Sequence, residues 1–138
     1  MKRMLIGLLA ALLTLPALAE RKHSVGEYDI HYVAVNSGFL QPDIAAAAGL
    51  VRSKTQGVIN VAALKAGKAS TAQVSGQVKN LLGQSSALTF RQVTESGAIY
   101  YLAQFPFSSR EILSFTLDVR QGDDAHRITF NQEMFPDD

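Results

Sequence analysis

The sequence predicts an all-β domain, an antiparallel β-sandwich of about seven strands with one short helix between the first two. Short segments rich in β-branched and aromatic residues recur along the chain, and turn residues separate them. A parallel sheet would need a helix after most strands, whereas only one helical segment is found. The clearest alternation of apolar and polar residues predicts a strand that buries Leu113, Phe115, Leu117 and Val119.

Six further segments have the composition and spacing of strands. They span residues 28–35, 58–64, 72–82, 87–94, 98–105 and 126–132. Alternation predicts that Val78 and Leu82 share one face of their strand. The alternation within 87–94 shifts after Phe90, which predicts a bulge or a twist. Residues 95–97 read as a hairpin turn before the next strand.

The single predicted helix spans Pro42–Ala48. Proline suits the first helical turn, and Asp43 complements the positive end of the helix dipole. Gly49 suits the left-handed residue that follows a helix. Two turns are too few to be stable alone, so we expect this helix to pack on a sheet through Ile44.

Residues 1–19 have the pattern of a cleavable secretory signal peptide. Lys2 and Arg3 precede an apolar run over 4–15, and 17–19 supply the small residues typical of a cleavage site. The run is too short, and too closely followed by polar residues, to anchor the chain in a membrane. We therefore expect a soluble, exported protein in which residues 20–138 form one domain.

Charge and cysteine content exclude several classes of function. The chain has 13 Lys and Arg and 12 Asp and Glu, a net charge of +1. Removal of Lys2 and Arg3 with the signal peptide leaves 11 basic and 12 acidic residues, a net charge of −1. Nucleic acid is therefore not an expected partner. The chain contains no cysteine, which excludes thiol catalysis and thiolate metal sites and leaves stability to packing.

Sequence motifs of the common enzyme classes are absent. The chain has no G-x-S-x-G elbow, phosphate-binding loop, H-E-x-x-H or dinucleotide fingerprint. Ser75 lies in a strand pattern rather than at the strand-to-helix turn that exposes a catalytic serine. Most acidic residues lie at turns or termini, as solvated turn residues do. We therefore predict a protein without enzymatic activity and without a cofactor.

Four residues are candidates for ligand binding. Arg52 and Lys54 follow the helix and could hold an anion, although a solvated loop has the same composition. Asn60 interrupts an apolar strand face, so its amide must be satisfied by neighbouring backbone or by a ligand. Tyr100 and Tyr101 point to opposite faces of one strand. At least one of them must be core, and we predict that Tyr100 marks a binding surface.

Four residues are candidates for metal ligation. The histidines are too far apart in sequence to predict a local site. Met134 could bind copper(I), although a methionine beside an aromatic residue also packs well at a sandwich edge. Cleavage after Glu20 would leave Arg21-Lys22-His23 as a copper(II) or nickel(II) chelate, but the small-residue rule favours cleavage after Ala19. The full candidate set is His23, His31, His126 and Met134.

Four stretches carry a resemblance to a known family. They are residues 49–54, 80–84 and 95–101 and the segment from Glu111 to Phe115. In these stretches the chain resembles an uncharacterised family of exported gammaproteobacterial proteins, domain-of-unknown-function family 4426. The resemblance covers nearly the whole mature chain. It implies a periplasmic location and an immunoglobulin-like sandwich, and it brings no activity, cofactor or catalytic residue.

The preferred hypothesis is a non-enzymatic periplasmic β-sandwich that binds a protein or an envelope component. Sandwich edges and loops offer contact surfaces for such a partner. The alternative is a carrier of a small ligand or of a metal such as copper or nickel, and an unrecognised hydrolase is a third hypothesis. A flat surface around Arg52, Asn60 and Tyr100 would favour protein contact, whereas a cleft would favour ligand carriage.

Overall fold

Two antiparallel β-sheets make up most of the computed structural model, which describes residues 21–136. Within this range one α-helix, α1 (Pro42–Ala48), follows a 3-10 turn at Ser37–Phe39. The predicted signal peptide and its cleavage site lie outside the described residues. The strands are β1 (Arg21–Val25), β2 (Tyr28–Asn36), β3 (Gln56–Lys65), β4 (Lys68–Ser70), β5 (Gln73–Lys79), β6 (Ser85–Leu88), β7 (Arg91–Glu95), β8 (Ala98–Pro106), β9 (Glu111–Gln121) and β10 (Asp124–Met134).

The two sheets form a sandwich, which confirms the predicted all-β fold. The larger sheet has the strand order β1-β2-β3-β8-β7, and β4 pairs with the end of β3. The smaller sheet has the order β10-β9-β5-β6. Strands β1 and β10 are therefore edge strands of different sheets.

Side chains of β9 fill the space between the sheets as the alternation predicts. Leu113, Phe115, Leu117 and Val119 are at most 3% exposed. Phe115 stacks on Phe130 with 4.8 Å between ring centroids, and Phe105 meets Phe115 edge-on at 5.1 Å. Such aromatic pairs stabilise a core by about 0.5–1.5 kcal/mol beyond the effect of burial. This packing takes the place of disulfides in a chain without cysteine.

The described chain has ten strands, whereas the sequence predicts about seven. Strands β1 and β4 escape prediction because they are short and mostly exposed, so they show no apolar alternation. The predicted strand 87–94 is in fact two strands, β6 and β7, in different sheets. The shift in alternation after Phe90 therefore marks a crossover between the sheets and not a bulge.

Strand β5 ends at Lys79, three residues before the predicted end. The side chain of Asn80 ends it, because Oδ1 accepts hydrogen bonds of 3.0 Å from the backbone N–H groups of Leu82 and Gln84. Asn80 Nδ2 also donates to Gln84 Oε1 at 2.8 Å. Leu82 thus lies in a turn and is 84% exposed, whereas Val78 is buried, so the prediction that the two share one strand face is wrong.

Helix α1 has the predicted bounds and packs on the outer face of the larger sheet. It ends at Gly49, whose φ of 68° is left-handed. Arg91 on β7 donates to the carbonyl oxygen of Ala48 at 3.1 Å and so satisfies one free carbonyl of the last turn. The helix helps to enclose a second, smaller core formed by Ala48, Val58, Val93 and Leu102.

Candidate functional site

A half-open groove lies on the outer face of the larger sheet, beside the small core under α1. Its volume is about 280 Å³. Side chains of β2, β3 and β8 line it. We call it the outer-face groove and define it by His31, Val33, Asn60, Ala62, Leu64 and Tyr100.

Strand register brings these side chains together. In the β2–β3 ladder His31 lies opposite Ala62, and Val33 lies opposite Asn60. Because side chains alternate between faces, each of these pairs points away from the sandwich core. Three aliphatic residues form an apolar lining, to which His31, Asn60 and Tyr100 add an imidazole, a carboxamide and a phenol.

Asn60 occupies an unusual position in the groove. Its Oδ1 is buried, yet it has no hydrogen-bond partner within residues 21–136. A buried carbonyl oxygen without a donor costs about 1–3 kcal/mol. The oxygen of Asn60 therefore ties down no neighbouring backbone among the described residues.

The two tyrosines separate as predicted. Tyr101 is 5% exposed and belongs to the main core, where its hydroxyl accepts a hydrogen bond of 2.8 Å from the backbone N–H of Ala72. Tyr100 is half-buried on the opposite face and lines the outer-face groove. Of the four predicted binding residues, the fold brings Asn60 and Tyr100 together.

Arg52 and Lys54 do not line the groove. Both are exposed in the loop between α1 and β3. Arg52 donates to the carbonyl oxygen of Gly38 at 3.0 Å. The buried Ser37 hydroxyl holds the same loop. It accepts a hydrogen bond from the N–H of Ser53 at 2.7 Å and donates one to the carbonyl oxygen of Ser53 at 2.8 Å. The contact made by Arg52 therefore fastens this loop to the 3-10 turn.

Two of the candidate metal ligands meet where the edge strands β1 and β10 face each other. The ring centroids of His23 and His126 are 6.0 Å apart. The Tyr28 ring lies 5.6 Å from that of His126. His126 Nε2 is buried and has no hydrogen-bond partner in the described chain. Sequence spacing did not reveal this pair because the two histidines are about a hundred residues apart and meet only across the sandwich.

The hydroxyl of Tyr28 interacts with a carboxylate beside this histidine pair. A hydrogen bond to Asp124 is the main cause that raises the pKa of Tyr28 above its ordinary value, and partial desolvation adds to it. The neutral phenol is therefore the favoured form in the folded protein.

The remaining metal candidates lie elsewhere. His31 lines the outer-face groove, on the face opposite to His23. Met134 is 2% exposed in the main core and lies eight residues beyond His126 on β10, about 26 Å along the strand. Within residues 21–136 there is no group of three or more His, Asp or Glu arranged to hold a metal ion.

An exposed apolar turn is a surface feature that the sequence did not predict. Leu81 and Leu82 are 76% and 84% exposed in the turn that Asn80 organises. The alternation of polar and apolar residues in β5 continues past Lys79 into this turn. Alternation alone therefore could not predict that both leucines are exposed. Separately, no helix in the described range is long and apolar enough to cross a membrane.

Comparison with protein families gives one match over nearly the whole chain. The model of a family described as a domain of unknown function, DUF4426, matches residues 22–137. A crystal structure of a DUF4426 family protein from Pseudomonas aeruginosa PAO1 is 52% identical, with a TM-score of 0.82. The match covers 86% of this chain and 97% of that one. No curated protein matches the chain.

More distant crystal structures share the fold. FetP from uropathogenic Escherichia coli strain F11, expressed recombinantly in the periplasm, is 13% identical with a TM-score of 0.65. That match covers 88% of this chain and 97% of FetP. A copper-bound variant of FetP is also 13% identical, with a TM-score of 0.64 over 88% of this chain and 93% of that one.

Proposed function

This chain belongs to the DUF4426 family, and from that premise we propose that it is a non-enzymatic periplasmic protein whose outer-face groove binds an extended segment of a partner protein. The family description assigns no activity. The support for the binding function comes instead from the geometry of the groove. The signal peptide pattern of residues 1–19 supports the location, as does the periplasmic expression of FetP.

The single observation that carries the proposal is the buried Asn60 Oδ1, which lacks a hydrogen-bond donor among the residues described. Such an oxygen lowers the stability of the free protein. A partner that displaces the side chains covering this oxygen and donates one N–H to it would remove this cost on binding. The apolar side chains of Val33, Ala62 and Leu64 around it would contact an apolar side chain of the same segment.

The shape of the groove favours a protein segment over a small ligand. Small-molecule sites usually bury 70–90% of their ligand, in cavities of about 300–1,000 Å³. The outer-face groove has a volume of about 280 Å³ and is half-open, so a small molecule would keep much of its surface in water. An extended chain crossing the groove can bury one or two side chains there and continue over the neighbouring sheet surface.

Site-specific photo-crosslinking in the periplasm tests the proposal. A photoreactive amino acid replaces Ala62 in the groove or, as the matched control, Ala87 on exposed strand β6. We expect a discrete protein adduct from position 62 that is absent from position 87 and is lost when Asn60→Leu is added. Adducts of equal yield at both positions, or adducts to lipid alone, would contradict a protein-binding groove.

A second candidate function is carriage of a transition metal. The neighbouring imidazoles of His23 and His126 favour it, and a FetP variant of the same fold is copper-bound. Thermal unfolding of the mature chain with copper, nickel and zinc salts tests it. Binding at 100 times the Kd should raise stability by about 2.7 kcal/mol. An unchanged melting temperature with all three metals would exclude metal carriage.

A further inference from the structure

The edge strands β1 and β10 face each other across one open side of the sandwich. The guanidinium of Arg21 on β1 donates to the carbonyl oxygen of Asn131 on β10 at 3.1 Å and lies 5.0 Å from the centroid of the Phe130 ring. Two residues further along β1, His23 meets His126. This side of the molecule therefore brings one imidazole from each sheet into contact.

His126 is the less satisfied member of the pair. Its Nε2 is buried away from water and lacks a partner among the described residues. In a neutral imidazole one nitrogen donates a hydrogen bond and the other accepts one. Whichever role Nε2 of His126 has, it finds no partner for that role among the described residues. The neighbouring side chains supply no group that accepts the lone pair of this nitrogen, whereas a metal ion would accept it.

We propose that His23 and His126 form a copper(II) site that joins the two sheets at their open side. The proposal rests on the second candidate function and adds the residues and the metal to it. Two imidazoles that bind one copper(II) ion at about 2.0 Å hold their ring centroids about 4.5 Å apart when they are neighbouring ligands and about 6.3 Å apart when they are opposite ligands. The observed separation of 6.0 Å lies within this range.

Copper(II) is the ion that this donor set favours. Imidazole nitrogen suits copper, nickel and zinc, and copper(II) binds most tightly among the divalent ions of this series. Within residues 21–136 no cluster of three or more His, Asp or Glu is present, so this pair supplies two of the ligands of the ion. Asp124, hydrogen-bonded to Tyr28 beside His126, adds negative charge near the ion.

The site differs from the N-terminal chelate that Arg21-Lys22-His23 could form. That chelate needs the backbone nitrogens of both Lys22 and His23. In the structure these two residues pair with His31 and Ile30 of β2. Ladder hydrogen bonds involve alternate residues, so one of the two N–H groups would have to leave the ladder. Only the proposed site depends on His126.

Copper titration of the mature protein, with its first residue established by mass spectrometry, tests the proposal. Copper(II) sulfate is added to the wild type and to the His23→Ala, His126→Ala and His31→Ala variants, with circular dichroism of the metal-free proteins as a check of folding. We expect each of the first two changes to raise the Kd at least about tenfold. Thr129→Ala, an exposed change on β10 that lies outside the histidine pair and outside the groove, is the added control and should not change the Kd. Electron paramagnetic resonance should report two imidazole nitrogens per copper.

The possible outcomes separate the site from the function. A wild type that binds no copper overturns both the site and metal carriage. Copper binding that survives His126→Ala but not His23→Ala indicates the N-terminal chelate and overturns the proposed site alone. A loss caused by His31→Ala places the metal in the outer-face groove and also overturns the site. If His126→Ala does not fold, His126→Gln and the nitrogen count decide.

Discussion

Asn80 and Asn60 are asparagines in opposite situations. Asn80 holds two backbone N–H groups of the β5–β6 turn with Oδ1, whereas the Oδ1 of Asn60 has no partner in the described chain. We predict that Asn80→Ala lowers the free energy of unfolding by about 1–2 kcal/mol, because both N–H groups lose their acceptor. Urea unfolding followed by circular dichroism measures it. A change below about 0.3 kcal/mol would show that the turn does not depend on this side chain.

Tyr28 makes the stability of the protein depend on pH in the alkaline range. The hydrogen bond to Asp124 raises the pKa of Tyr28 in the folded state above the ordinary value of 10.0. The neutral phenol therefore contributes stability that is complete below about pH 10 and is lost as the pH rises through the folded-state pKa. The Tyr28→Phe variant lacks the phenol hydroxyl and therefore lacks this pH-dependent contribution to stability.

The stability difference between the wild type and Tyr28→Phe should thus be constant from about pH 7 to 9 and shrink above about pH 10. Urea unfolding of both proteins across this range measures it. A difference that does not change with pH would show that the phenol is not coupled to Asp124.

At the residue scale, the sequence predicts what depends on strand alternation. The opposite faces of Tyr100 and Tyr101 follow from a period of two, and in the structure Tyr101 belongs to the core while Tyr100 lies on the outer face. The contact of His23 with His126 could not be predicted, because it requires the packing of two sheets whose edges are far apart in sequence. The predicted face shared by Leu82 and Val78 is wrong because the hydrogen bonds of the Asn80 side chain form a turn where the strand pattern continues.

Helix α1 depends on the residue that ends it. Gly49 is left-handed, and a Cβ atom there would collide with the Arg91 guanidinium that caps the helix. Gly49→Ala should therefore lower the free energy of unfolding by about 2–3 kcal/mol, the sum of backbone strain and a lost hydrogen bond.

Gly97→Ala is the matched control, because Gly97 is also left-handed but a Cβ there meets nothing within 4 Å. It should cost only the strain, about 1–2 kcal/mol. Urea unfolding of both variants compares them, and equal losses would show that the Arg91 contact contributes nothing.

At the element scale, prediction succeeds where local chemistry is strong. Proline, aspartate and glycine define α1 at both ends, and Ser96 and Gly97 form the hairpin turn between β7 and β8, within the predicted turn at 95–97. Prediction fails where an element has no apolar face, as in β1 and β4. It also merges β6 with β7, because a change of sheet alters which side chains are buried without breaking the extended backbone.

The whole molecule combines a stable sandwich with one outer surface that is only partly covered. Helix α1 and the loop after it cover the region around Val58 and Leu102. The outer-face groove remains beside it, with Asn60 among its lining residues. The sequence predicts the sandwich through alternation, but it does not show which part of an outer face the helix covers, because this depends on the direction of the chain after β2.

Asn60→Leu gives the most direct test of the central claim that this groove exists for binding. The substitution removes an amide oxygen that lacks a donor within residues 21–136 and adds apolar contact. It should raise the free energy of unfolding by about 1–2 kcal/mol while abolishing the crosslink from position 62. Asn131→Leu on the smaller sheet, where the side chain accepts a hydrogen bond from Ser114 at the surface, is the control and should change stability by no more than about 0.5 kcal/mol. A destabilised Asn60→Leu protein, or one that still forms the crosslink, would contradict the account.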